Sequence, residues 1–579
     1  MKQPLSARIS SLPPYVYWGA FVLFQLLFVF QGLDFSDEGY WMTFYSRIFV
    51  DPESVMSNFP SWLTGITGGA LLNFFPTGGL LMMRLVGVAS ITIIALIATR
   101  ILRPYLPLWA IRTGIIMAML FVYKDITCFC NNRLSVIILL SALLLLFNGI
   151  AGERHKKWYI FLAASLMALN VFARFPNILD LLFIALIPYE AWLSGRQRRD
   201  WIRSIIYFFV AWCVTLVVVI ALIWVSGYIY VYRDSILMLF DISASDGNTH
   251  GLKRMFINVL RQYMGVVRVG GGALFVALLA IPLIRAIKGR WFYVVIVAVL
   301  LLLEFSFYEF SIIQLLYFIS LSTSITIMLG RYHNSLKLLA AVSAMFNVIY
   351  PLGSDYGINI VGYHTFWLSF PFIIASAPSF FGSLPYYGNF IRWCGNRKIE
   401  FIGWGILLVF AIYFVERRYS VPYNDLGPRI EKLTPAGHPL LKGVYTTDER
   451  AQIIGDLLNR LSVEVTPGDF LIGYDNLPML NYLTGTAPYC YNSWVLGYDS
   501  AMFSGYMEKI RNKSGKLPIV VTQHFQSIKD VYWEPDSGYF TEGGGEGRHS
   551  VMLRFLRDNG YVRSWSNGYF SIFKPCHER

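Results

Sequence analysis

Residues 34–41 run Asp-Phe-Ser-Asp-Glu-Gly-Tyr-Trp, placing the adjacent carboxylates Asp37 and Glu38 three residues after Asp34. Neighbouring carboxylates beside an apolar segment are costly unless they are paired, hydrated or bound to a cation. Such a group can take a proton from an attacking hydroxyl and steady positive charge on a reacting carbon, with a divalent cation at Asp37 and Glu38 as a further option. The plainer alternative is a hydrated helix start, with Ser36 as cap and the acids in the first turn. Farther along, Asp125 is a second candidate acid. Arg84, Arg133 and Arg174 are candidates for an anion, because a guanidinium fork grips an oxyanion bidentately and keeps its charge; each could equally be an interfacial anchor. Tyr40 and Trp41, and farther on Asp355 and His364 within Gly-Ser-Asp-Tyr-Gly and its sequel, suit a sugar or acceptor pocket.

The elements that must carry these groups follow from hydropathy. Of 579 residues 56% are hydrophobic and 14% charged, and the mean hydropathy is +0.51, which excludes a soluble multidomain protein. Thirteen apolar runs fall at 15–33, 78–98, 108–123, 134–150, 157–173, 177–193, 204–227, 270–286, 290–304, 311–329, 336–352, 364–382 and 399–415. A helical span needs roughly 20 apolar residues, so these runs predict about thirteen transmembrane helices. Alternate connections collect cations: Lys2 and Arg8, Arg100 and Arg103, Arg154 to Lys157, Arg196 to Arg203, Arg285 to Arg290, Arg331 and Lys337, and Arg392 to Lys398. The intervening ones carry Asp34, Asp37, Glu38, Asp51, Glu53, Asp125, Asp234, Asp241, Asp246, Glu304, Glu309 and Asp355. The positive-inside rule puts the first set and the N-terminus in the cytoplasm and the acids outside. The net charge of +13, from 48 Lys+Arg against 35 Asp+Glu, is then an orientation signal, and no nucleic-acid partner is expected. No small-residue cleavage site follows the first run, which predicts an uncleaved helix.

Composition changes near residue 417, where Pro422, Pro428, Pro435 and Pro439 and frequent charges begin a soluble stretch. The expected division is a membrane module over 1–416, with a first outer loop at 34–77, and an outward α/β domain over 417–579. Thr447 and Asp448 predict a capped helix to about Leu461, runs at 469–474, 518–522 and 569–573 predict strands, and a second helix is expected over 549–558. The glycine run 543–547 lacks the ending and flanking elements of a phosphate loop, so a surface loop is expected. The polar stretch 241–251 could serve as a lid, although a plain exposed loop fits it better. Six cysteines form no zinc or disulfide framework; a Cys490–Cys576 bridge is one option and buried thiols the other.

The sequence Asp37-Glu38-Gly39-Tyr40, the long first outer loop, Arg84 entering the second span, some thirteen spans and an outward C-terminal domain together resemble the GT-C glycosyltransferases. That family includes the aminoarabinose transferase of lipid A and the protein O-mannosyltransferases. The motif-level match covers residues 34–85, with weaker echoes in Asp125, Ala173-Arg174-Phe175-Pro176-Asn177, Pro467-Gly468-Asp469-Phe470 and Tyr482-Leu483-Thr484-Gly485. The resemblance implies an inverting transferase of the inner membrane, active on the periplasmic side, with a polyprenyl-phosphate sugar donor and a lipid, protein or glycan acceptor. It implies Asp37 as base, Glu38 as its neighbour in orienting or cation binding, and Asp125 as the second-loop acid. The aminoarabinose branch has an arginine close behind the acidic pair; here Gly39, Tyr40, Trp41 and Met42 stand there. A flippase, a polymerase or ligase, or a transporter of lipid-linked glycans shares the span count, but does not require acids directly after span one.

Overall fold

A computed structural model describes residues 5–151, 157–244, 252–287, 289, 291–309, 312–354, 356–383, 385–536 and 547–576. Asp355, Asp246, Arg154, Lys156, Lys288, Arg290 and the run 543–546 lie outside the described residues. Each of the thirteen apolar runs overlaps a helix, the first only as far as Leu26. Among the described residues, five helices are long and apolar enough to cross a membrane: Gly79–Leu102, Asn131–Ile150, Phe175–Ser194, Arg198–Val225 and Ile312–Leu329. Leu108–Phe121, Lys157–Ala173, Trp291–Leu302 and Asn334–Ile349 are shorter apolar helices. The run at 270–286 is the end of a longer helix, Leu252–Ala286, and the run at 399–415 lies within Pro385–Ser420. The fold class is mainly α, of polytopic membrane type, with a C-terminal α/β domain.

The domain is built on a five-stranded sheet in the spatial order Ala487–Pro488, Phe470–Tyr474, Ile519–Gln523, Phe570–Pro575, Tyr561–Ser566. The first two pairings are parallel and the last two antiparallel. Three of these strands are the apolar runs seen in the sequence. The helix Asp448–Glu464 starts where Thr447 accepts the Arg450 amide, with Asp448 and Glu449 in its first turn, as helix ends favour. Two helices, Arg548–Asp558 and Ser500–Ser514, pack together as part of the same domain. Cys490 is buried, Cys576 is exposed and both are free thiols, so the bridge between them does not form. Cys490 sits in an apolar cluster with Tyr474, Tyr489 and Phe503, while Cys576 follows the last strand.

The domain and the first outer loop are joined by backbone. Tyr445 donates to Phe30 O and accepts from the Gly32 amide, so the chain leaving the first span pairs with a domain strand. The first-loop helix Asp37–Arg47 then meets Pro478 and Met479: Thr43 Oγ1 donates to Pro478 O at 2.8 Å, and the Met479 amide to Phe35 O at 3.0 Å. Gly39 makes this approach feasible, because a Cβ there would lie 2.3 Å from the Met479 nitrogen. Within the loop, Phe44 and Tyr45 pack on Gly65 and Gly68 of the helix Trp62–Phe74.

Candidate active site

The three first-loop acids are held in three different ways. Asp34 is the cap: its carboxylate accepts the Ser36 amide at 2.9 Å, the Ser36 hydroxyl at 2.6 Å and the Glu38 amide at 2.9 Å. Ser36, the cap expected from the sequence, makes no side-chain capping bond. Glu38 is fully buried against Arg84 in a bidentate pair, Nε to Oε1 at 2.9 Å and Nη2 to Oε2 at 2.5 Å. Arg84 also donates to Val29 O and Gly32 O, so it clamps the end of the first span to the loop and is not free to bind a phosphate. Asp37 alone of the three is only half-buried. Its Oδ2 accepts the Tyr423 hydroxyl at 2.8 Å and Asn424 Nδ2 at 3.1 Å, and among the described residues nothing donates to its Oδ1. Burial pushes Asp37 above the usual carboxylate range, and the bonds from Tyr423 and Asn424 oppose that rise. Asp34 is likewise raised, by burial and then by repulsion from Asp37 and Glu38.

This arrangement does not suit a cation shared by Asp37 and Glu38, since both Glu38 oxygens face the Arg84 guanidinium. Among the described residues no group of three or more His, Cys, Asp or Glu could hold a metal ion.

Asp125 lies between the helices Leu108–Phe121 and Asn131–Ile150, buried, with Arg133 Nε at 3.4 Å and His364 Nε2 at 3.6 Å on the same Oδ2. Burial would raise this acid, but His364 and Arg133 together outweigh it and hold Asp125 below the usual carboxylate range. Arg133 also donates to Thr127 O and Ile126 O, and Gly87 beneath it leaves the room, since a Cβ would lie 2.1 Å from Arg133 Nη1. Arg174 is occupied elsewhere: it donates to Asn177 Oδ1 and Tyr350 O and lies over the Tyr350 ring. Trp41 is buried among Phe44 and Tyr45, inside the loop. Tyr40 is half-buried, edge-on to Trp494 of the domain at 6.0 Å.

Beside Asp125 opens a cleft lined by Gln25, Phe28, Tyr123, Arg133, Arg418, Tyr423 and Arg429, among others. Its cavity volume is about 20 Å³. Arg418 and Arg429 were not foreseen. Neither forms an ion pair among the described residues; Arg418 donates to Met119 O, and Arg429 to Arg418 O, Phe28 O and Gln31 O, both over the Phe28 ring. Burial and then repulsion from Arg418 and Arg84 push Arg429 down to about 9. A signal was present in the sequence: Arg417 and Arg418 end the last apolar run at the end that the charge alternation predicts to face outward, where the positive-inside rule expects few cations. Tyr423 spans the two halves of the site, reaching Asp37 while lining the cleft. A carboxylate that can take a proton thus stands beside a cleft whose arginines can hold an anion.

Fold and site define a helical membrane protein whose C-terminal α/β domain closes against a charged cleft at the first loop. No protein-family model matches the chain, and no curated protein is similar to it at a significant level. Among solved structures, ArnT from Cupriavidus metallidurans bound to undecaprenyl phosphate aligns over 98% of this chain and 99% of its own, at 10% identity and a TM-score of 0.48. The archaeal oligosaccharyltransferase AglB from Archaeoglobus fulgidus, in complex with an inhibitory peptide and a dolichol-phosphate, aligns over 98% of this chain and 75% of its own, at 12% identity and a TM-score of 0.45. An oligosaccharyltransferase structure from the same organism, with Zn and sulfate, aligns over 99% of this chain and 73% of its own, again at 12% and 0.45. At such identities and TM-scores residue roles are taken from the geometry alone.

Proposed function

We propose that the chain is a GT-C type membrane glycosyltransferase that moves a sugar from a polyprenyl-phosphate donor to an acceptor on the extracytoplasmic side, by inversion. The observation that carries this is the pairing of one half-buried, one-sidedly held carboxylate, Asp37, with the cleft of Arg418, Arg429 and Arg133 across Tyr423. Asp37 Oδ1 accepts the proton of an acceptor hydroxyl. The acceptor oxygen bonds to the anomeric carbon, the bond from that carbon to the phosphate oxygen breaks, and its electron pair leaves with the phosphate. Charge grows on that phosphate as the bond breaks, and fixed cations in a water-poor cleft stabilise it. Asp125 holds Arg133 and His364 in place in this scheme, and Glu38 with Arg84 holds the loop. No step is routed through a metal. The acceptor is a lipid, a protein or a glycan; the proposed setting is the bacterial inner membrane with a periplasmic domain, and the charge pattern supports the outward placement of that domain.

The test is transfer from a panel of radiolabelled polyprenyl-phosphate sugars into membrane extract by purified protein in detergent. Asp37→Asn, with an unchanged melting profile, is expected to lower transfer by about 10³-fold, within the range for removing a general base. Undiminished transfer by this variant would remove Asp37 as base. Absence of transfer by the wild type across the panel would sink the transferase reading and favour the flippase, ligase or transporter alternatives.

A further inference from the structure

Tyr423, Asn424 and Asp425 are consecutive, and they face in two directions. Tyr423 and Asn424 donate to the same oxygen of Asp37, and Asn424 Nδ2 also reaches Ser36 Oγ at 3.0 Å. Asn424 is left-handed, with φ +50°, a conformation that asparagine tolerates better than most residues. The next residue, Asp425, is fully buried and accepts four donors: the Leu33 amide at 2.8 Å, Lys432 Nζ at 3.1 Å, Thr446 Oγ1 at 3.3 Å and Arg450 Nη1. Arg450 belongs to the domain helix Asp448–Glu464. It is fixed there by Leu426 O and Asp530 O and lies 4.9 Å over the Trp533 ring. One unbroken set of contacts therefore runs from the domain's Trp533 through Arg450 and Asp425 to the two donors on Asp37.

We propose that Tyr423-Asn424-Asp425 is a latch through which the C-terminal domain holds and aims Asp37, with Arg450 as a positioning residue for the reaction although it does not touch Asp37. The proposal rests on the reading of Asp37 as the acting carboxylate. The hydrogen bonds it delivers favour the charged form of Asp37. The other ionisable groups facing Asp37 are Asp34, Glu38 and Tyr40 from its own loop and helix and Asp125 from the second outer loop. The three carboxylates among them disfavour its charged form, so the two donors of the latch are what keeps Asp37 ionised near neutral pH. Losing the latch moves its protonation upward in pH: the base is then protonated at pH values where the wild type is ionised, and activity is lost first on the acid side.

The experiment is infrared difference spectroscopy of the full-length protein in detergent, each background minus its own Asp37→Asn derivative, titrated with pH. Tyr423→Phe is expected to move the Asp37 transition up by about one pH unit, a tenfold change in its ionisation ratio. Arg450→Met is expected to move it in the same direction, and Arg450→Lys to keep it near the wild-type value. Trp533→Leu, which removes the ring beneath Arg450, gives a smaller shift of the same sign and serves if Arg450→Met does not fold. A folded Arg450→Met or Trp533→Leu protein with an unmoved Asp37 transition overturns the latch. The acid limb of transfer against pH should move in parallel in each variant. Shifted spectra with no transfer by the wild type would uphold the latch while removing the catalytic role of Asp37.

Discussion

Two buried charged regions meet at the site, and their imbalances are of opposite sign. At the start of the first loop stand three carboxylates, Asp34, Asp37 and Glu38, and one arginine, Arg84, which pairs with Glu38. Where the last span passes into the domain, Lys432 and Arg450 pair with the buried Asp425, while Arg418 and Arg429 stand nearby without an ion pair among the described residues. Burial and then repulsion from Arg429 push Lys432 down to about 8. An isolated excess of either sign would be expensive in a medium of low polarity. Set side by side, with Tyr423 between them, the two excesses offset each other at a distance, leaving a base on one side and an anion site on the other. A protein that only needed stability would pair these charges directly, and the residual separation is where chemistry can enter.

The largest effect comes from breaking the one strong pair on the acidic side. Glu38→Ala leaves the Arg84 guanidinium buried without its carboxylate, and removing one partner of a buried pair costs about 3–5 kcal/mol. The expected outcome is a large drop in thermal stability in detergent, or loss of folded protein, in contrast to Asp37→Asn, which leaves the fold intact. If the two substitutions destabilise equally, the distinction between a structural Glu38 and a functional Asp37 fails.

That distinction also marks what the sequence could reveal. The acids, their place after the first span, the helical class and the separate α/β domain were all legible, because hydropathy period, charge alternation and local spacing encode them. Capping by Asp34 in place of Ser36 is a matter of loop geometry. The division of labour between Asp37 and Glu38 is set by partners 386 and 46 residues away, Tyr423 and Arg84, and no local pattern carries it. Arg84 and Arg174 have the chemistry for a phosphate, but their surroundings satisfy them internally. Arg418 was passed over because it falls just past the last apolar run, where the soluble stretch was expected to begin. The domain helix Ser500–Ser514 was missed as well, though Phe503, Met507 and Ile510 bury one face at helical spacing, because its many polar residues hide the apolar stripe.

On the basic side the expected effect is smaller and falls on turnover. Arg429→Met and Arg418→Met each remove a cation from the cleft while keeping much of the side-chain bulk. Loss of one fixed group that stabilises developing charge costs about 10²-fold or somewhat more in rate. Steady-state transfer rates should fall by that order for each variant, with Arg174→Met, placed away from the cleft, much less affected. Equal losses in all three would mean that the cleft is not where the phosphate sits.

The smallest effect predicted is that of a chelator, and it probes the same asymmetry from the other direction. A divalent cation held by the acidic pair would need oxygens from both Asp37 and Glu38 turned to one point. Glu38 gives both of its oxygens to Arg84, at 2.9 and 2.5 Å, and releasing either would expose a buried guanidinium. Transfer measured with excess EDTA should therefore match transfer with added magnesium or manganese, within about twofold. A large loss in EDTA, restored by one metal, would require Glu38 to leave Arg84 during turnover. The charge excess on the first loop would then be a cation site, and its opposition to the arginines of the cleft would need another explanation.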